Sequence, residues 1–206
     1  MEKKYTDEQY DKDYELKREG LEKILGKMHD LVGHSVVPFY MGGSVDLYYF
    51  IHHIKGTGFA TMELLDIEGN GPLPNELGTY ELLAFTKNYY DEGSDGGSAF
   101  NLIQSRICEN LTAVGNYSYE TVFDPGDTYE SIFGDNDEER YMIFDHYAPG
   151  NTDFNVGKRR HYLLLCMEIF KREMEFSWDN GSDELIDLLK KKGYYPYSDL
   201  DREPVA

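Results

Sequence analysis

The sequence predicts an α+β protein, a single domain with a mixed, mostly antiparallel sheet flanked by helices. Three observations lead there. Segments rich in aromatic and β-branched residues outnumber helical ones, two of them are spaced as a hairpin, and neither an internal repeat nor a linker-like stretch divides the chain. With 206 residues, 40% of them apolar, the chain is long enough to build its own core.

Between residues 6 and 32, Tyr10, Tyr14, Leu21, Ile24, Leu25, Met28 and Leu31 recur at spacings of mainly three and four, which predicts a long amphipathic helix. Thr6 is placed to cap it, Asp7 and Glu8 sit in its positive first turn, and Gly33 is placed to end it. Residues 44–54 are apolar on both alternating sets, Val45/Leu47/Tyr49/Ile51 and Tyr48/Phe50, the pattern of a central strand covered on both faces. Turn residues at 55–58 join it to a second strand at 59–65. A Gly- and Pro-rich loop over 66–78 leads to a third strand at 79–87. Ser98 begins a helix whose apolar face is Phe100, Ile103, Ile107, Leu111 and Val114. Further strands are expected at 119–123, 141–147 and 161–169, the first stopped by Asp124-Pro125-Gly126-Asp127. Helices at 171–179 and 182–192, broken at Asn180-Gly181, close the chain. Residues 1–43 are read as an N-terminal helix and lead-in packed on a domain formed by 44–206.

Charge narrows the function. Thirty-nine acidic against 20 basic residues give a net charge of -19. Phosphate binding draws on clustered Lys and Arg, so nucleic acid is not an expected direct partner, whereas a basic protein or cationic ligand is. No run approaches the ~18 apolar residues of a membrane helix, and residues 1–8 carry no apolar export segment, so a cytoplasmic protein is expected. Cys108 and Cys166 stand in apolar segments without metal or redox spacing and are expected as buried thiols.

Signatures of nucleotide, zinc and nucleophilic-serine sites are missing. In a regular strand His52 and His53 would point to opposite faces and could not chelate one ion. Residues 135–139 begin like a calcium loop, but Arg140 stands where the turn needs Gly and His146 where the bidentate Glu belongs. No metal, cofactor or catalytic set is therefore expected. The enzymatic alternative is a small hydrolase or metal-dependent enzyme using Glu63, Glu81, His52 and His146; Asp145-His146 is read separately as a pair that could orient an imidazole, with no nucleophile to assign to it. Glu63, Glu81 and Glu120 all fall in expected strands and would line one surface if those strands were neighbours.

Four stretches carry a family resemblance: Gly43-Ser44-Val45-Asp46-Leu47-Tyr48-Tyr49-Phe50, Phe59-Ala60-Thr61-Met62-Glu63-Leu64, Glu76-Leu77-Gly78-Thr79-Tyr80-Glu81-Leu82-Leu83-Ala84, and the block from His161 to Arg202. In these the chain resembles the suppressor of fused family, in particular its bacterial single-domain members. The resemblance implies a compact α/β domain that binds other proteins and catalyses nothing. Animal members add a second domain, for which this chain is too short, and hold a transcription factor as an added strand. Bacterial members resemble immunity proteins or antitoxins that neutralise a toxin, and an acidic inhibitor of a basic toxin would account for the charge. Candidate partner contacts are Asp46, Tyr48 and His52 on the first strand, Tyr80 and Glu81 on the third, and Asp135, Asp137 and Glu138 in the acidic loop. A regulatory adaptor that binds a peptide by β-strand addition is the alternative within the binding class.

Overall fold

The computed structural model describes residues 5–93, 95–134, 136–150 and 152–206. Helix α1, Asp7–Leu25, starts at Thr6, whose side chain accepts from the Gln9 N–H while the Gln9 side chain accepts from the Thr6 N–H, so two backbone donors left free by the first turn are satisfied together. It ends at Gly26, about two turns earlier than the apolar spacing suggests, because Met28 and Val32 reach the core from the chain that follows the helix. Strand β1 (Val32–Gly33) and a 3-10 turn at Phe39–Met41 come next. Then follow β2 (Leu47–Phe50), β3 (Thr57–Ala60), β4 (Thr79–Thr86), α2 (Ala99–Tyr117), β5 (Thr128–Phe133), β6 (Glu138–His146), β7 (Phe154–Val156), β8 (Arg159–Ile169), α3 (Lys171–Asn180) and α4 (Ser182–Lys192).

Among the described residues these strands form one mixed sheet in the order β1-β2-β3-β4-β8-β6-β5, with β7 also paired to β8. The β4–β8 pair is parallel and the others are antiparallel, so the α+β, mostly antiparallel expectation holds. Period-two alternation divides the core between the two faces. Leu163, Leu165, Met167 and Ile169 of β8 pack with Leu83 and Phe85 of β4 under α1, α3 and α4. Tyr162, Leu164 and Cys166 pack with Tyr80 and Leu82 under α2. Both faces are covered, as the apolar runs require.

Three expected strands change. The one read over 59–65 is paired only as Thr57–Ala60, and residues 61–65 continue as irregular chain. The strand read over 44–54 is regular only over Leu47–Phe50, and His52 and His53 lie in the turn to β3. His53 is held there by the Tyr147 hydroxyl at 2.7 Å and by stacking on Phe85. Residues 119–123 form irregular chain: the Tyr119 hydroxyl donates to the Leu64 carbonyl, and the Phe123 ring packs on Phe144 at 4.7 Å. Their aromatic content therefore serves packing rather than pairing. The sheet edge is formed instead by β5, which the sequence reading did not assign.

Candidate partner-binding surface

The sequence candidates fall into three places. Tyr80 and Glu81, neighbours on β4, point to opposite covered faces of the sheet and are both fully buried. Tyr80 packs against Tyr162. Glu81 accepts from the Thr61 hydroxyl at 2.7 Å and from the Leu64 and Leu65 amides, with the Lys17 ammonium 4.0 Å away. Burial raises its pKa despite that cation. Tyr48 is buried as well, its ring against Tyr14 and its hydroxyl donating to Glu63. These three are corrected from partner contacts to core residues, since neither face of a covered sheet offers them to a partner.

The carboxylates read as one surface are likewise separated: Glu81 is in the core, Glu63 is exposed on an otherwise buried stretch after β3, and Glu120 is on a turn after α2. The hydrolase set is no more compact. His52 is exposed in the β2–β3 turn, and His146 pairs with Asp153 at 2.8 Å rather than with the adjacent Asp145, which accepts from the Tyr195 hydroxyl. Among the described residues no three His, Cys, Asp or Glu side chains gather as a metal site.

Asp46, Asp137 and Glu138 do reach the surface region. Asp46, just before β2, accepts from the Ser35 amide at 2.8 Å and lies 2.6 Å from His34 Nδ1. Asp137 is exposed in the β5–β6 turn with a positive φ of 52°. Asp135 lies outside the described residues. Glu138 opens β6 and bonds to Arg106 at 2.5 Å and Arg140 at 3.0 Å; those bonds hold its carboxyl below the usual range.

Arg106 and Arg140 are residues that sequence reasoning passed over, and they organise this region. Glu168 lies on the α2 face of β8, where it is buried and receives two bonds from the Arg106 guanidinium, at 2.8 and 2.5 Å, and one from Asn110 Nδ2. Arg140 reaches Asn110 Oδ1, Glu138 and Glu109, so a chain of alternating charge runs from the buried strand to the exposed side of α2. The available signal was Glu168 itself, a carboxylate in the most apolar run of the sequence, which has to find a cation when buried.

Beside this network a hollow of about 670 Å³ opens between α2 and the C-terminal tail. Its walls include Leu102, Ile103, Arg106, Glu109, Asp199 and Asp201. The tail is held in place by Ser198, whose amide donates to the Phe85 carbonyl, and by Asp199, which accepts from Thr86, Lys87 and Asn88 at the end of β4. The carboxylates of Asp199 and Glu168 are thus used in building the walls, while Glu109, Glu138 and Asp201 present acidic side chains to solvent around them.

No protein-family model matches the chain, and no curated protein matches it. Among solved structures, a chain of the Sufu-Fu complex crystal structure superposes with a TM-score of 0.60 at 13% identity, covering 91% of this chain and 89% of that one. The fold is Sufu-like. This agrees with the fold expected from the suppressor of fused resemblance, and at that identity the likeness is one of architecture. Among the described residues no helix is long and apolar enough to cross a membrane.

Proposed function

We propose that the chain is a non-enzymatic, cytoplasmic protein-binding domain of the suppressor of fused type, a bacterial immunity protein that neutralises a basic toxin by covering its working surface. The observation that carries this reading is a Sufu-like fold bearing a net charge of -19, with exposed carboxylates grouped around the α2 hollow. Long-range attraction of that size speeds encounter with a cationic protein and disfavours nucleic acid. The residues of the hydrolase alternative are dispersed, each in a separate structural setting, which favours binding over catalysis.

A pull-down from native lysate at low salt, washed at ~0.5 M salt, tests the reading, because exposed charge pairs are screened at that ionic strength. The expected result is one basic protein released by the salt wash, whose own activity falls to zero at one equivalent of this chain. Recovery of a partner that keeps its activity when bound would overturn the immunity role. A second reading, peptide capture by strand addition, is favoured by β5, which pairs through one edge with β6 and lies at the end of the sheet. A salt-insensitive partner lost when Ser131 is replaced by Pro would select that reading.

A further inference from the structure

The segment between β1 and β2 presents apolar side chains outward in a way the core does not explain. Val36 is 100% exposed, Tyr40 84% and Met41 65%, with Val37 beside them at 46%. In an acidic protein such a cluster is a cost unless something covers it. The segment is also closely braced. Phe39 is its buried anchor, packed into the α2-side core and near Tyr119. The Met41 and Gly43 amides donate to the Pro38 carbonyl, and Ser35 ties the two ends together, donating to the Val37 carbonyl and accepting from the Ser44 amide. At Gly43 a Cβ would lie 1.6 Å from the Val37 oxygen, so the closure depends on glycine there. The outward side chains are therefore held in place before any partner arrives, which lowers the ordering cost of burying them.

The charges around the cluster identify its partner. One flanking hollow is lined by Asp46 and Glu63, the other by Glu109 and His34, and among the described residues neither has a Lys or Arg in its walls. Ser105 and Glu109 of α2 line both the second of these hollows and the large α2 hollow, so the apolar cluster and the acidic rim belong to one continuous face.

We propose that residues 35–43 form a preformed apolar knob that enters a pocket of a basic protein, with the carboxylates of the α2 face meeting the Lys and Arg side chains around that pocket. This rests on the binding function proposed above and adds which surface inserts and what chemistry receives it. A second copy of this chain is a poor occupant, because it would bring like charge against like around the knob.

The test places the photo-crosslinker benzoylphenylalanine at Tyr40 in the full chain, in the native cell, with Leu102 and Trp178 as separate reference sites. The proteins joined are identified and purified, and their affinities measured for the wild type and for V36S/Y40S/M41S, whose altered side chains are exposed and whose circular dichroism is expected to match that of the wild type. The expected result is a basic protein joined at Tyr40 whose affinity falls about 30-fold or more in the triple variant, as for central contacts of an interface. A protein joined at Leu102 or Trp178 but not at Tyr40, an adduct with the chain itself, or an unchanged affinity would overturn the knob. Absence of any adduct would also overturn it. A partner that meets every knob criterion yet keeps its activity when bound would instead remove the immunity role and leave the knob standing.

Discussion

The two ends of the chain are each fastened to the body of the protein through a buried charge, and the chemistry differs. At the N-terminal end, Lys17 of α1 is 4% exposed and donates to the carbonyls of Met62 and Leu65, with Asp13 at 3.3 Å and Glu81 at the 4.0 Å margin. At the C-terminal end, Arg202 meets the fully buried Glu173 with two bonds of 2.6 and 2.8 Å, and Glu173 also accepts from the Val205 and Phe170 amides. A guanidinium fork matches both oxygens of a carboxylate, whereas an ammonium divides its donors among neutral carbonyls and leaves the buried acid partly uncompensated. Hence burial raises the Glu81 pKa even with a lysine close by. The contrast shows that two buried ion pairs in one protein can differ in kind, one directed and paired, the other diffuse and open to titration.

Breaking the directed pair has the largest expected effect. Arg202→Ala strands Glu173 without its cation and is expected to cost about 3–5 kcal/mol in urea denaturation. A loss below about 1 kcal/mol would mean that the tail opens to water and that the two anchors are alike after all. The diffuse pair is expected to yield less. Lys17→Met leaves two carbonyls short of a donor and Glu81 without its cation, at about 1–3 kcal/mol, and exposes α1 to limited proteolysis. Adding Glu81→Gln to that variant should recover part of the loss, and simple additivity of the two would show that Lys17 and Glu81 do not interact.

The most gradual effect is on pH dependence, and it sharpens the comparison because His161 lies beside the N-terminal anchor. His161 is fully buried, its Nδ1 is 2.7 Å from the Thr79 hydroxyl, and its ring stands edge-on to Phe154. Burial, with the nearby charges of Lys17 and Arg159, holds its pKa down to about 3. The unfolded chain therefore takes up this proton first. The contribution of His161 is complete above about pH 6.5 and is lost as pH falls toward about 3, with a limiting slope near 1.4 kcal/mol per pH unit. Glu81 acts in the opposite direction, since its raised pKa lets the folded form keep a proton and lose stability as pH rises above about 4.5. Urea midpoints across pH 4–8 are expected to fall less on acidification in His161→Asn than in the wild type, and to decline less with rising pH in Glu81→Gln. Parallel curves for all three proteins would show that neither group carries the dependence.

Elements whose signals are local were legible in the sequence. The Thr6 and Ser98 caps stand where expected, and α4 spans Ser182–Lys192 as read, because capping hydrogen bonds and apolar spacing involve residues only a few positions apart. Strand β5 was not legible, since an edge strand of half-exposed residues is stabilised by its register with β6. The same limit applied to the surface. Tyr80 and Glu81 have the residue types of a binding site, but their exposure depends on helices distant in sequence. The apolar knob was overlooked for the converse reason, because Val36, Tyr40 and Met41 have the composition of a core segment and only the path of the chain places them outside.

The sequence by itself determined the fold class, the order of most elements, the two-sided burial of the sheet and the acidic character, because alternation, helical spacing, caps and net charge are properties of neighbouring residues or of their sum. Only the tertiary structure decided which carboxylates are buried and which face solvent, where Arg106 finds Glu168, and which apolar side chains remain in water. Those outcomes depend on what packs above each residue, and that is set by segments tens of positions away along the chain.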